Sequence, residues 1–171
     1  QDIATSVETR SYIMDMSHYM QIAHPQFLVV DNDGWQHISF EGRLKSDILT
    51  AHLYTPDLER WKELLDGLVN GQQTGIAAFP LVVGDPFFFR KQVPLIVSEW
   101  GGFGFADYGG PADDSERTAS ITAFKKELHA RPIAGDIYTQ ATNIEDEKNG
   151  LIDFETGELK VPEGLLGNPE E

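Results

Sequence analysis

Residues 94–102 read Pro94-Leu95-Ile96-Val97-Ser98-Glu99-Trp100-Gly101-Gly102. Leu95, Ile96 and Val97 form a short apolar, partly β-branched run of the kind seen in a strand buried on both faces. The run passes directly into an acid, an indole and two glycines, so a carboxylate stands where a strand ends and the backbone turns. Two earlier runs have the same character. Phe27-Leu28-Val29-Val30-Asp31 is broken by Asn32-Asp33-Gly34, and Ile48-Leu49-Thr50-Ala51-His52-Leu53-Tyr54 is ended by Thr55-Pro56-Asp57. A fourth short strand is predicted over residues 133–139, followed by an acidic turn at residues 143–150.

Helical spacing lies around these runs. Residues 5–24 predict a helix, with Thr5 and Glu8 at capping-box separation, Ile13, Met16, Met20 and Ala23 on one stripe, and Pro25 as the stop. Leu58, Trp61, Leu65 and Leu68 predict a second helix ended at Asn70-Gly71. A third begins near Asp114 or Ser115, either of which can cap it, and turns Ile121, Phe124 and Leu128 to one face. Alternation of this kind predicts an α/β protein with a parallel sheet of β/α units. Residues 36–47 and 72–92 resist the pattern. The second of these, which carries Phe79, Phe87, Phe88 and Phe89, is a long aromatic-rich connection, and such loops usually shape a site.

Composition narrows the function. With 28 acidic and 13 basic residues the formal charge is −15, which excludes a phosphate-backbone binder and an anionic membrane face as partners. The absence of Cys removes disulfides, thiolate metal sites and a Cys nucleophile. No apolar stretch approaches the roughly 18 residues of a membrane span. The chain starts at Gln1 without an initiator Met or a signal-peptide pattern, so it reads as a fragment and its compartment is left open.

In parallel β/α folds the chemistry sits at the C-terminal ends of strands. Those ends carry Asp31, Asn32, Asp33 and Trp35, then His52 and Tyr54, then Glu99 and Trp100, then Tyr138 and Gln140. Carboxylates, amides and aromatic faces together suit a sugar, whose ring stacks on aromatics while its hydroxyls are read by hydrogen bonds. Glu99 is the sharpest candidate, as a nucleophile. The competing reading makes it a loop cap or a partner of Arg90, Lys91 or Arg131. His52 and Tyr54, two residues apart on a strand, share a face, either as site residues or as satisfied polar residues of the core. Asn32-Asp33-Gly34 reads as a turn. Glu145-Asp146-Glu147 reads as a solvated acidic turn, since the ligand spacing of a calcium loop is absent. No HExxH-type spacing occurs, so no metal and no cofactor are expected.

Taken in order, several strings resemble the catalytic barrel of glycoside hydrolase family 2, which includes β-galactosidases, β-glucuronidases and β-mannosidases. They are His24-Pro25 through Asp31-Asn32-Asp33-Gly34-Trp35, His52-Leu53-Tyr54, residues 94–102 as quoted, Gly135-Asp136-Ile137-Tyr138-Thr139-Gln140, and Glu145-Asp146-Glu147-Lys148-Asn149-Gly150-Leu151. The resemblance implies that residues 1–151 form the C-terminal half of a (β/α)8 barrel, strands five to eight, with residues 152–171 as a surface tail. A full barrel takes about 250 residues. It also implies a retaining β-glycosidase acting on a carbohydrate. Glu99 matches the nucleophile, and Trp35, His52, Tyr54, Trp100, Tyr138 and Gln140 are the substrate-binding candidates. Tyr54 is placed to hydrogen-bond Glu99. The family's acid/base Glu, in an Asn-Glu pair, is missing, and the resemblance puts it before Gln1. The chain alone is therefore expected to be inactive, and to associate with itself or pack on the missing half through its open sheet edges. Two other readings are a carbohydrate-binding module without chemistry and another retaining barrel hydrolase, such as a mannanase or cellulase.

Overall fold

The structure, a computed structural model, describes residues 6–166. Its main sheet has three parallel strands, β3 (Leu49–Leu53), β5 (Leu95–Gly101) and β6 (Gly135–Thr139), in the order β3-β5-β6. A smaller sheet holds β1 (His37–Phe40), β2 (Arg43–Leu44) and β4 (Val82–Gly84), with β1 antiparallel to β2 and parallel to β4. Three helices complete the frame: α1 (Val7–Ala23), α2 (Leu58–Val69) and α3 (Asp114–His129). None is long and apolar enough to cross a membrane.

Helices α2 and α3 follow the sequence closely. Asp57 caps α2 by accepting the Arg60 N–H, and Trp61, Leu64, Leu65 and Leu68 are buried. Asp113, one residue before the expected cap, accepts from the Ser115 and Glu116 N–H groups and starts α3, which buries Ile121, Phe124 and Leu128. Both helices cover one face of the main sheet. There Leu49, Ala51, Leu53, Leu95, Val97 and Trp100 meet them in one core, and the Trp61 indole donates to the Phe124 carbonyl at 3.1 Å.

Helix α1 differs from its expected form. Its cap is Ser6, which accepts the Thr9 N–H at 2.9 Å, while the expected cap Thr5 lies outside the described residues. Met16 and Met20, expected on the buried stripe, are exposed together with Tyr12 and Tyr19, and Ser17 is the buried residue of the helix. Spacing fixes which residues share a face, but what that face meets depends on the rest of the fold.

The expected first strand, 27–31, is not one. Phe27 and Leu28 are 64% and 68% exposed. The segment runs parallel to β3 but joins it through widely spaced bonds, Asp47 N–H to the Val29 carbonyl at 2.8 Å and His52 N–H to the Gly34 carbonyl at 3.2 Å. The Val29 N–H is taken by the Asp47 carboxylate at 2.8 Å, so side chains replace the ladder. The two unassigned stretches supply the smaller sheet. At Glu41-Gly42 both φ angles are positive (52° and 71°), which gives the two-residue turn joining β1 to β2. The tail does more than cover the surface, since Val161 is buried in the core and Leu165 packs against it.

The pairing of β3 with β5 contains a bulge. Ala51 pairs with Val97, but the next residue, His52, pairs with Glu99, and Leu53 with Trp100. Ser98 is the extra residue. Strict alternation from Val97 would send Glu99 into the helix-covered core and Trp100 to the opposite face. The bulge exchanges them, so Trp100 is buried under α2 and Glu99 stands beside His52.

Gly34 lies directly under the His52 ring. Its φ is +86°, and a Cβ there would meet the imidazole at 2.4 Å. Gly34→Ala combines left-handed strain of about 1–3 kcal/mol with this collision. The expected result is a loss of at least about 2 kcal/mol of unfolding free energy in urea, with displacement of His52 seen in its NMR shifts.

Candidate functional site

The C-terminal ends of β3, β5 and β6 and the segment after Asp31 bring together Asp33, His52, Tyr54, Glu99 and Thr139. The Tyr54 hydroxyl donates to Glu99 Oε2 at 2.6 Å, the hydrogen bond expected from the sequence, and also contacts Thr139 Oγ1 at 3.2 Å. His52 is buried between two carboxylates, with Nδ1 3.2 Å from Glu99 Oε2 and Nε2 3.0 Å from Asp33 Oδ2. The Glu99 side chain is 38% exposed. Both of its contacts fall on Oε2, and among the described residues no hydrogen bond falls on Oε1. Arg131, one suggested partner, is engaged instead by Asp66 and Glu127.

The titration behaviour follows from these contacts. Burial, followed by the hydrogen bond to Glu99, pushes the Tyr54 phenol well above the ordinary tyrosine range, so it remains a donor at any working pH. The hydrogen bond from His52 holds Asp33 far below the usual carboxylate range. Asp33 is thus ionised throughout.

Aromatic rings frame the cluster. Tyr108 stacks flat on Tyr54, with ring centres 3.8 Å apart and planes at 7°. Trp35 packs edge-on against His52 at 4.9 Å, and Phe79 lies 5.4 Å from Trp35. Of the six substrate-binding candidates, the structure places Trp35, His52 and Tyr54 here and the other three elsewhere. Trp100 is fully buried and donates its indole N–H to Asp136 at 2.9 Å. Tyr138 packs against Trp100 and Phe103 on the helix side, where burial pushes its phenol up to about 12. Gln140 donates to Glu147 at 3.0 Å and Asn149 at 3.1 Å, which fastens the acidic turn. Among the described contacts these three bond or pack within the fold, and none of them touches Glu99.

No protein-family model matches this chain, and no curated protein matches it. The resemblance to family 2 therefore rests on the quoted strings alone.

Asp33, His52 and Glu99 offer ligand atoms within 4.8 Å of one another, close enough to consider a cation. The two carboxylates, however, contact different ring nitrogens of His52. One ion could use all three groups only if a carboxylate left its present partner. The hydrogen bond between His52 Nε2 and Asp33 at 3.0 Å fixes the imidazole, whose Nδ1 then stands 3.2 Å from Glu99 Oε2.

Sequence reading missed Tyr108 and Thr139, took Asp33 for a turn residue, and pointed to the connection that carries Phe79 without singling that residue out. Thr139 has a visible signal, since it ends a strand at the same level as Tyr54. Tyr108 has none, because it arrives from a loop.

The hydrogen bond from Tyr54 to a carboxylate should contribute about 1.5–3 kcal/mol. Tyr54→Phe is thus expected to slow covalent labelling at Glu99 by about ten- to a hundredfold in a stopped assay and to lower the thermal midpoint by a few degrees.

Proposed function

We propose that this chain carries the nucleophile of a retaining β-glycosidase and that its parallel β/α units are half of a (β/α)8 barrel. The single observation that carries this reading is Glu99 near the C-terminal end of β5, held through Oε2 by Tyr54 at 2.6 Å, with a side chain that is 38% exposed. A carboxylate fixed at one oxygen beside aromatic rings suits displacement at an anomeric carbon. The barrel reading is supported by the parallel course of segment 27–34, β3, β5 and β6, in chain order, with the site at their C-terminal ends.

In the proposed reaction Glu99 Oε1 attacks the anomeric carbon and the bond to the leaving oxygen breaks, giving a glycosyl ester on Glu99. A second carboxyl group, about 5–5.5 Å from Glu99 in such enzymes, protonates the departing oxygen and then draws a proton from water, which releases the sugar and frees Glu99. Asp33 does not fit that role, because a carboxyl group held far below its ordinary range has no proton to give. The donor comes from outside the described residues, and turnover by the chain alone should be very low. The outer edge of β6, which has no partner strand in the sheet among the described residues, supports pairing with a further strand, either from a second copy or from the remaining half.

The test separates the nucleophile from the proton donor. A 2-fluoro β-glycoside with a dinitrophenolate leaving group needs no protonation to depart, so the first step can be read on residues 1–171 alone. The expected result is a mass increase of one fluoroglycosyl unit mapped to Glu99. Labelling at another carboxylate, or equal labelling of Glu99→Gln, counts against the reading.

A further inference from the structure

We infer that Phe79, together with Trp35, forms a second ring-binding position next to the one at Glu99, which takes the aglycone ring or neighbouring sugar of a β-glycoside. The inference rests on the glycosidase reading and deepens it to a ligand of at least two rings. Phe79 belongs to the aromatic-rich connection 72–92. Most apolar side chains of that connection have a core function, with Ile76, Leu81, Val82 and Phe87 all buried. Phe79 is 41% exposed and leans on Trp35, with ring centres 5.4 Å apart and planes at 53°.

Its position is set by the backbone. The Gln36 N–H donates to the Pro80 carbonyl at 2.8 Å and the His37 N–H to the Leu81 carbonyl at 2.9 Å, which continues the β1–β4 pairing up to the residue beside Trp35. The residue after Trp35 is thereby bonded to the residue after Phe79. Contacts lead stepwise from the carboxylate to Phe79: Glu99 to His52 at 3.2 Å, His52 to Trp35 at 4.9 Å between ring centres, and Trp35 to Phe79 at 5.4 Å between ring centres. Phe79 is tilted relative to Trp35 by 53° and is 41% exposed, so the pair makes an angled apolar surface beside His52. The Trp35 indole N–H is buried without a partner, so its polar edge is closed to a ligand. Such a surface suits an aromatic aglycone or the apolar face of a second sugar.

The experiment uses residues 1–171 and ligand-observed NMR titration with non-hydrolysable 1-thio-β-glycosides of galactose, glucose, mannose and glucuronic acid, each as methyl and as phenyl derivative. Phe79→Ala is expected to raise Kd for the phenyl member of the bound series three- to tenfold and to leave the methyl member unchanged. Phe79→Tyr should retain the phenyl preference. Trp35→Ala, nearer Glu99, should weaken both. Equal shifts for methyl and phenyl ligands with Phe79→Ala, or no shift, overturn the second ring position while leaving the glycosidase reading in place. Binding of neither derivative of any sugar to the unsubstituted chain overturns both. Because Phe79 is exposed, its replacement should leave the unfolding midpoint unchanged, and a lowered midpoint with equal loss for both ligands counts as the structural outcome that overturns the inference.

Discussion

Glu99→Gln is expected to abolish covalent labelling by the 2-fluoro glycoside and, in any polypeptide that also supplies the proton donor, to lower turnover by on the order of 10⁴-fold or more. The amide is nearly isosteric and can still accept from Tyr54, so the fold is retained. What is lost is the anionic oxygen at Oε1, and with it the glycosyl ester. Far-UV circular dichroism and the unfolding midpoint should match those of the unsubstituted chain. A binding module without chemistry would behave differently, because its glycoside affinity would tolerate the change and no ester would have formed at the start. Retained labelling of Glu99→Gln at another carboxylate would move the nucleophile elsewhere.

Asp31→Ala is expected to cost about 3–5 kcal/mol of unfolding free energy, read as a shift of the urea midpoint at constant slope. Asp31 and His37 are buried with fully covered side chains, and the carboxylate contacts His37 Nδ1 at 2.6 Å. The same carboxylate accepts the Ile38 N–H at 2.6 Å and the Asn32 N–H at 2.8 Å. Removing it strands the His37 Nδ1 and Ile38 donors, and a buried donor without a partner costs about 1–3 kcal/mol. On its other side His37 Nε2 accepts the Thr50 N–H at 3.1 Å, and Thr50 Oγ1 accepts the Gly34 N–H at 2.8 Å. This network ties residues 31–34 to β3, so the substitution should also release Asp33 and Trp35 from the site. Asp31→Asn keeps one acceptor and should lose less. An Asp31→Ala midpoint unchanged within error would show that the network contributes nothing.

Elements with both a periodic pattern and a core to fill were legible. The strand at Leu49–Leu53, the helix at Leu58–Val69 and the helix at Asp114–His129 lie close to where spacing and stop signals put them. Segment 27–31 had strand composition, yet its backbone groups found the side chains of Asp47 and Ser46 in place of a neighbouring strand. Composition records preference, and pairing depends on which groups are within reach. The small sheet was hidden for a related reason, because β2 and β4 are too short to show alternation.

The sequence by itself determined that a carboxylate would end an apolar strand at Glu99, that His52 and Tyr54 would share a face two residues apart, and that an acidic chain without Cys would work through oxygen, nitrogen and aromatic groups. These follow from local rules of strand geometry and side-chain chemistry, which need no knowledge of neighbours. Only the tertiary structure decided that Glu99 and not Trp100 faces the site, because the deciding feature is the extra residue Ser98 in the pairing of β3 with β5. A one-residue slip reverses every side chain beyond it, and that slip is set by two strands distant in sequence. The same holds for Asp33, Tyr108 and Phe79, which reach the cluster from loops whose course is fixed by hydrogen bonds to other elements.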